Sequence, residues 1–426
     1  MNTLTLYLGL FGAFFVVGVP IALSLAIAAI VMLLMNDLEL LVFAQRFLVS
    51  MDNFGLTAMF FFILAGQIMN AGGLTRRVIA AVSKLVRGVP GGLAMVAIIS
   101  CALFAAINGS AIATSIAIGS ILYPAMIRQG YGKAFSAAVI AGGGIIGPII
   151  PPSIPMIVYG STTGDSIGAL FAGGIVLGGL IAAAQLVAVY FIAKKRGYGV
   201  AVEEIDFGET KGVVWALIFP IFIFGSIVGG VMTATETSAF AVVYAWFVGQ
   251  FIYREFRWSA FPEMVKKAML GSGMVMAIVG AATAVAWVLT YERVPQEVTA
   301  AMVSGIDSAA FFMIVSFGIL LVIGMIMDLT PAILILTPIF IAPVLAFGID
   351  PIYFGVFFCS VLTAGLITPP VGTLIYTGCS TSGRPLGELV RELLPLIAAV
   401  YAVLFVSALF PQLITFLPRN VFGLYN

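Results

Sequence analysis

The chain has 426 residues, of which 62% are hydrophobic and 9% charged, and its mean hydropathy is +1.19. Because so few polar side chains cannot cover a soluble core, the composition predicts a polytopic membrane protein. The net charge of +1 indicates no basic surface for nucleic acid. Histidine, the commonest general base, is absent, and the three cysteines lie in apolar runs without metal-ligand spacing, so neither an enzyme nor a zinc site is indicated.

The first apolar stretches predict two spans and one surface helix. Residues 4–34 predict the first span, the charged segment 37–52 predicts a helix lying at the membrane interface, and residues 54–70 predict a second span of bilayer length. A basic loop follows, with Arg76, Arg77, Lys84 and Arg87. Because Lys and Arg concentrate in cytoplasmic loops, this loop and the N-terminus are both assigned to the cytoplasm.

Residues 91–128 are uncharged as far as Arg128, which makes the stretch about twice as long as one crossing needs. The polar cluster Asn108-Gly109-Ser110 stands at its midpoint, between two helical arms. Two full spans joined by an outer turn fit this spacing, and so does a re-entrant hairpin whose tip stops near the membrane midplane. Comparison with the second half of the chain favours the re-entrant hairpin.

Two Pro-Pro pairs interrupt uncharged runs of bilayer length. Residues 147–155 read Gly-Pro-Ile-Ile-Pro-Pro-Ser-Ile-Pro, and residues 365–373 read Gly-Leu-Ile-Thr-Pro-Pro-Val-Gly-Thr. Proline cannot donate to a helix ladder, so residues 134–163 and 352–382 are predicted to be broken helices. Their freed carbonyls must lie within protein or line a watered cavity, where they suit cation binding. A kink without a binding role is the alternative for either pair taken alone.

The matching Pro-Pro runs predict two repeats, residues 1–196 and 212–426, joined by a polar cytoplasmic linker at 197–211. The first repeat ends with a crossing at 167–193 and the basic stop Lys194-Lys195-Arg196. The second predicts spans at 213–231 and 239–253, an interfacial segment at 254–267, a crossing at 271–290, a hairpin at 309–346 and a last span at 394–417.

The two interfacial segments carry charges of opposite sign, acidic in 37–52 and basic in 254–267. Because corresponding segments then lie on opposite faces of the membrane, the repeats are predicted to have inverted topology. The first hairpin would enter from the cytoplasm and the second from outside. This count places the C-terminus on the outer side.

Two acidic residues stand near helix starts. Asp328 occupies the predicted tip of the second hairpin, where it is either a cation ligand or the cap of a helix that begins at Pro331. Glu236 follows Thr235 and is interpreted as a capping residue. No nucleotide-binding or hydrolase motif appears in the sequence, so an ion gradient must supply the energy, and cages of carbonyls and hydroxyls suit Na⁺ better than a proton.

Several short motifs are distinctive in combination: Phe62-Ile-Leu-Ala-Gly66, Ala106-Ile-Asn-Gly-Ser110, Gly142-Gly143-Gly144, Ile150-Pro-Pro-Ser153, Thr235-Glu236, Gly348-Ile-Asp-Pro351 and Thr368-Pro-Pro-Val-Gly372. Together they resemble the large membrane subunit of TRAP transporters, the DctM/SiaM type of the ion-transporter superfamily, over nearly the whole chain. The resemblance implies an elevator-type, Na⁺-coupled importer of organic acids such as sialic acid or a C4-dicarboxylate. It also implies a bacterial inner-membrane location, a small four-helix membrane subunit and a periplasmic substrate-binding protein as partners.

The sequence departs from the usual family pattern in three places: Asn108 and Ala111 at the first tip, Pro148 in the first Pro-Pro stretch, and Met232-Thr-Ala-Thr-Glu236. These departures bear on specificity and on individual ligands. Two alternative functions remain at this stage, a stand-alone carboxylate symporter of the same superfamily and a passive channel or scaffold.

Two pseudo-symmetric Na⁺ sites are predicted where each hairpin tip meets a broken helix. The first comprises Asn108, Ser110, Gly144, Gly147 and Ser153, and the second comprises Asp328, Thr330, Thr363, Gly365, Thr368 and Thr373. Substrate is expected between the two sites, against Asn108, Thr330, Pro151, Pro152, Pro369 and Pro370.

Overall fold

The structure, a computed structural model, describes residues 3–86, 88–199 and 212–424, without the side chains of residues 3–6, 8, 15–16 and 105–108. Every regular element in these ranges is a helix. Seven of the described helices are long and apolar enough to cross a bilayer: Phe54–Ala71, Ala111–Arg128, Ile167–Arg196, Trp258–Tyr291, Ala309–Ile326, Leu329–Ala346 and Leu386–Leu409. The prediction of an all-helical polytopic membrane protein is confirmed.

Ten helices precede residue 200. They are α1 (Thr3–Val16), α2 (Ile21–Met35), α3 (Leu40–Met51), α4 (Phe54–Ala71), α5 (Leu74–Leu85), α6 (Gly92–Asn108), α7 (Ala111–Arg128), α8 (Lys133–Gly144), α9 (Ile154–Thr163) and α10 (Ile167–Arg196). The pair α6 and α7 meets at the predicted first tip. The gap between α8 and α9 contains the first Pro-Pro pair.

Ten more helices lie between residues 212 and 424. They are α11 (Val213–Val228), α12 (Ala234–Phe247), α13 (Phe261–Tyr291), α14 (Val294–Gly305), α15 (Ala309–Ile326), α16 (Leu329–Ala346), α17 (Pro351–Gly365), α18 (Thr373–Ser382), α19 (Leu386–Leu409) and α20 (Gln412–Thr415). Short π-helical turns, Val248–Ile252 and Phe416–Val421, continue α12 and α20. The pair α15 and α16 and the gap between α17 and α18 follow the same order as their counterparts before residue 200.

The predicted single span at 4–34 is divided in two. Gly18 has a φ of +86°, and Pro20 stands at the start of α2. Proline cannot donate to the preceding turn and disfavours helical geometry at Val19, so the helix ends and restarts. Helix α1 then packs against α2.

Two further segments differ from their predicted form. The basic loop after α4 contains an amphipathic helix, α5, with Val78, Ile79 and Val82 buried while Arg76 and Lys84 are exposed. Residues 261–267 of the predicted surface segment and the crossing 271–290 are joined in the single helix α13. Glycine within a helix costs about 1 kcal/mol but keeps its backbone donor, so the glycines near residue 271 do not interrupt it.

The two broken helices occupy the centre of the fold. Residues 135–144 of α8 and residues 352–365 of α17 are all buried. The first piece of each broken helix packs against the second piece of the other, α8 against α18 and α17 against α9. Each first piece also packs against its own hairpin, so helices from both halves meet near both Pro-Pro gaps.

A second group of helices packs around α4 and α13. Helix α4 lies against α12 and α13, and α13 also contacts α2 and α3. Helix α12 begins with a capping box, in which the Glu236 carboxylate accepts from the Thr233 N–H at 2.8 Å and the Thr233 hydroxyl accepts from the Glu236 N–H at 3.2 Å. The Thr233 N–H and hydroxyl hold the pKa of Glu236 below its usual value. The prediction that Glu236 caps this helix is confirmed in part: the N-cap residue is Thr233, and Glu236 is its partner three residues later.

Hairpin helix α15 crosses α17 where both lack a side chain. A methyl group placed on Gly365 would overlap the backbone of Gly324, and one placed on Gly324 would lie 2.9 Å from the Leu362 carbonyl oxygen. Such separations are shorter than van der Waals contact, so only glycine allows this approach. The second hairpin is therefore held against the broken helix by backbone contact.

We expect Gly365→Ala to separate α15 from α17 and to destabilise the protein by about 1–3 kcal/mol or more, the cost of overpacking a core. Gly318→Ala is the matched control, because Gly318 lies in α15 with no atom within 4 Å of an added methyl. The thermal unfolding of the two detergent-solubilised variants checks the prediction. Equal melting temperatures would contradict the close helix crossing.

Candidate ion and substrate sites

The first broken helix ends in tight turns. The Ile146 N–H donates to the Gly143 carbonyl and the Gly147 N–H donates to the Gly144 carbonyl, both at 3.1 Å. A continuing helix would direct the Ile146 N–H to Gly142, so the Gly142 carbonyl loses that donor. The side-chain amide of Gln185 on α10, which is fully buried, donates to the Gly142 carbonyl at 2.8 Å instead.

The tip of the first hairpin lies against the loop that carries the first Pro-Pro pair. A methyl group placed on Gly109 would lie 2.5 Å from the Pro152 carbonyl oxygen and 3.4 Å from the Ile154 nitrogen. Gly109 also has a φ of +61°, which favours glycine. The tip and the loop are thus in backbone contact, as the sequence predicts.

Three oxygen atoms converge beside Gly147. A methyl group placed there would lie 3.1 Å from the Gly144 carbonyl, 3.1 Å from the Thr114 hydroxyl and 3.2 Å from the Ser110 carbonyl. Thr114 is fully buried on α7, and its hydroxyl has no hydrogen-bond partner among the described residues. A buried hydroxyl without a partner is costly, so this oxygen cluster has unused capacity for a ligand.

Three residues of the predicted first Na⁺ site, Ser110, Gly144 and Gly147, contribute to this cluster or adjoin it. The hydroxyl of Ser153 instead caps α9, where it accepts from the Met156 N–H at 3.2 Å and donates to the Pro148 carbonyl. The side chain of Asn108 lies outside the described residues. Sequence reasoning missed Thr114, although a hydroxyl one helical turn after the polar tip is a detectable signal.

The second broken helix satisfies its freed groups differently. The Thr368 hydroxyl contacts the Ala364 carbonyl at 2.9 Å and the Tyr401 hydroxyl on α19. The Thr363 hydroxyl donates back to the Cys359 carbonyl at 2.7 Å, and the buried Thr373 hydroxyl has no partner among the described residues. In each half, the helix after the whole broken helix therefore contributes one polar side chain. These side chains, Gln185 on α10 and Tyr401 on α19, were missed by sequence reasoning.

Asp328 stands at the start of α16 but does not cap it. Its side chain makes no capping hydrogen bond, although its carbonyl accepts from the Ala332 N–H at 3.2 Å. The residue is exposed, and the described contacts include no ion pair with its carboxylate. They also include none that joins Asp328 or Thr330 to residues 363–373, so the contact between Gly324 and Gly365 is what brings the second hairpin to the break.

The four prolines predicted to face substrate differ in exposure. Pro151 and Pro152 are buried, whereas Pro369 is half-buried and Pro370 is exposed. Both Pro-Pro peptide bonds are cis. The second loop is therefore the one open to solvent in this structure.

A family model described as the DctM component of the tripartite ATP-independent periplasmic transporters matches residues 8–413. The chain belongs to the DctM family. Members of this family are large permease subunits of TRAP transporters and not enzymes, which confirms the family resemblance and the prediction that the chain is no enzyme. As a family member with several apolar spans, the chain is a multi-pass membrane protein.

Two relatives illustrate the range of this family. The chain is 39% identical over 419 residues to the isethionate TRAP transporter permease protein DctMQ of Oleidesulfovibrio alaskensis, a match that covers 97% of this chain but only 66% of that protein. It is 37% identical over 403 residues to the 2,3-diketo-L-gulonate TRAP transporter large permease protein YiaN of Escherichia coli, covering 93% of this chain and 95% of that one. The chain thus spans about two thirds of the first relative's length and nearly all of the second.

The fold is shared with a more distant protein. The structure of MtrF of Neisseria gonorrhoeae, described as one of a class of antimetabolite efflux pumps, matches with a TM-score of 0.63 at 13% identity, over 96% of this chain and 94% of that one. At this identity the likeness concerns the fold alone.

We expect Gln185→Leu to destabilise this DctM-family protein by about 1–3 kcal/mol, the cost of leaving the buried Gly142 carbonyl without a donor. Val187→Ala on the same helix is the control, because Val187 is 56% exposed and its truncation opens no core cavity. Thermal unfolding in detergent measures both. A melting temperature for Gln185→Leu no lower than that of the control would show that the amide is not needed there.

Proposed function

We propose that the chain is the translocating subunit of a Na⁺-coupled importer that receives an organic acid, such as sialic acid or a C4-dicarboxylate, from a periplasmic binding protein. The relatives support an organic anion as substrate, because isethionate and 2,3-diketo-L-gulonate are both small anions bearing hydroxyl groups. The chain would work with a small four-helix membrane subunit. The relative DctMQ supports this partnership, since about a third of its length lies outside the match with this chain.

The oxygen cluster beside Gly147 carries the proposal of Na⁺ coupling. It unites two carbonyls and the unpartnered Thr114 hydroxyl, without a carboxylate or a histidine. Uncharged oxygens at the broken ends of helices suit Na⁺, whereas a proton relay requires titratable groups. The first proposed site therefore consists of Ser110, Thr114, Gly144 and the adjoining Gly147, together with the predicted Asn108.

The second proposed Na⁺ site uses Asp328 and the unpartnered Thr373 hydroxyl, together with the predicted Thr330, Thr363, Gly365 and Thr368. Import of two Na⁺ ions with a monoanion would move one net positive charge into the cell, worth about 2.3 kcal/mol for each 100 mV of membrane potential. The membrane potential would then drive accumulation of the substrate inside the cell. During transport the substrate would bind between the two sites.

The repeated element order supports inverted repeats and an elevator movement. In each half a hairpin, a broken helix and a long helix follow one another, and the broken helices and the long helices of the two halves pack against each other. We assign the hairpins and broken helices to the moving body, and the helices around α4 and α13 to a fixed frame. The basic loops after α4 and α10 support a cytoplasmic N-terminus, an outer C-terminus and a location in the bacterial inner membrane.

We expect Thr114→Val to raise the Na⁺ concentration for half-maximal uptake about fivefold, which corresponds to the loss of roughly 1 kcal/mol from one ligand. The variant keeps the shape of the side chain, so its stability without Na⁺ should not fall. Ser316→Ala is the control, because Ser316 is another buried hydroxyl without a partner, on α15 away from the proposed sites. Uptake into vesicles holding the complete transporter, measured against Na⁺ concentration, checks the expectation; equal Na⁺ dependence in both variants would remove Thr114 from the site.

For the second site, we expect Asp328→Asn to raise the Na⁺ requirement while the protein stays folded, because the substitution removes the charge and keeps one oxygen. Asp307→Asn provides the control, since Asp307 is an exposed acid in the loop before the same hairpin. The same uptake assay compares them. Unchanged Na⁺ dependence in Asp328→Asn would exclude this carboxylate as a ligand.

A further inference from the structure

Five helix termini meet at one end of the bundle: the ends of α7, α10 and α18 and the starts of α8 and α19. The N–H of Gly132, just before α8, donates to the hydroxyl of Tyr198, just after α10, at 3.3 Å. The Tyr123 hydroxyl of α7 donates to the carbonyl of Ser382, the last residue of α18, at 3.4 Å. Helix α18 also packs against α7, α8 and α19.

These termini carry an excess of positive charge, and we call them the basic end: Arg128, Lys133, Lys194, Lys195, Arg196, Arg384 and Arg391. Both acids at the start of α19 are already paired, since Glu392 lies 2.7 Å from Arg196 and Glu388 lies 2.7 Å from Arg384. The other five cations are exposed and make no ion pair with any described residue. The basic end thus has unused capacity for an anion.

Two of the helices lead from the basic end into exposed apolar surface. On α10, Val187, Phe191 and Lys195 are all exposed and follow one another at intervals of four residues, so they lie on one face. On α19, Arg391 and Leu394 are both exposed and share a face in the same way. Helices α10 and α19 pack against each other. Together they present an apolar surface that ends in cations, as expected where side chains reach from lipid chains to headgroups.

We propose that the basic end binds the phosphate of an anionic phospholipid, whose acyl chains lie along the apolar faces of α10 and α19. Clusters of Lys and Arg at the ends of membrane helices attract anionic headgroups in this way. In the proposed topology this end faces the cytoplasm, so the lipid belongs to the cytoplasmic leaflet. The same two helices contribute Gln185 and Tyr401 to the broken helices, so the lipid would contact helices that complete the candidate sites.

The linker at 200–211 is the competing occupant. It lies outside the described residues and contains four acids, Glu203, Glu204, Asp206 and Glu209. Charge alone suits either occupant. A phospholipid joins a phosphate to apolar chains, so it matches both the cations and the exposed apolar faces, whereas an acidic linker matches the cations alone.

Native mass spectrometry of the purified chain, titrated with phosphatidylglycerol or with phosphatidylcholine of the same acyl chains, tests the proposal. The wild type should bind phosphatidylglycerol at least about fivefold more tightly. Lys194→Gln combined with Lys195→Gln should lower this preference at least about threefold. Lys266→Gln combined with Lys267→Gln is the matched control, because these are a second pair of adjacent exposed lysines, on α13. No preference in the wild type, or an equal loss in both variants, would overturn the proposal.

Two further arms identify the occupant. Free sn-glycerol 1-phosphate should not displace phosphatidylglycerol, because it lacks the acyl chains; displacement at equal concentration would assign the basic end to a soluble phosphate and overturn the lipid site. Glu203→Gln combined with Glu204→Gln should leave the preference unchanged. A preference that appears only in this variant would show that the linker occupies the basic end. Neither Na⁺ nor transport enters these measurements, so their failure would leave the proposed function standing.

Discussion

Backbone carbonyls inside an apolar body need partners, and this requirement shapes the centre of the fold. Each Pro-Pro pair lies in a gap that interrupts a helix whose first piece is buried. The first break is completed by tight turns and by Gln185, and the second by the hydroxyls of Thr368 and Tyr401. Because the side chains of Gln185 and Tyr401 come from α10 and α19, the helices that follow the two broken helices are part of the sites and not only membrane crossings.

The fold also requires backbone segments to approach each other closely, and small residues make this possible. Gly109 brings the first tip to the Pro152 carbonyl, and Gly324 meets Gly365 where the second hairpin crosses α17. In a membrane, where lipid is as apolar as the protein, such close packing is a main source of helix association. The glycines therefore have a packing role, and Gly365 has this role in addition to the Na⁺ binding that the sequence predicts for it.

The patterns that sequence reasoning predicted well have local physical causes. Proline breaks, polar hairpin tips and the capping role of Glu236 follow from a few neighbouring residues. The side chains that bond to the broken helices could not be predicted in this way. Gln185 donates to Gly142 from 43 residues away, and no periodicity in the sequence indicates this contact. Pro20 indicates that the first span is divided. The prediction of one span followed the high hydropathy of residues 4–34 and did not use this proline. The Na⁺ ligands, the substrate contacts and the inverted topology remain predictions.

The two breaks are related in order but not in chemistry. Ser153 caps α9 with its hydroxyl, whereas the corresponding start of α18 is Gly372, with a φ of +44° and no side chain to donate or accept. Near the breaks, an unpartnered hydroxyl among the described residues lies on the hairpin in the first half, at Thr114, and on the broken helix in the second, at Thr373. Only the second tip adds a carboxylate, Asp328, which is exposed. A buried neutral cluster and an open charged one cannot hold Na⁺ equally, because the first must replace the whole hydration shell with uncharged oxygens while the second keeps water and adds a charge. The two proposed sites would therefore differ in affinity, and the tighter one would fill at the lower Na⁺ concentration.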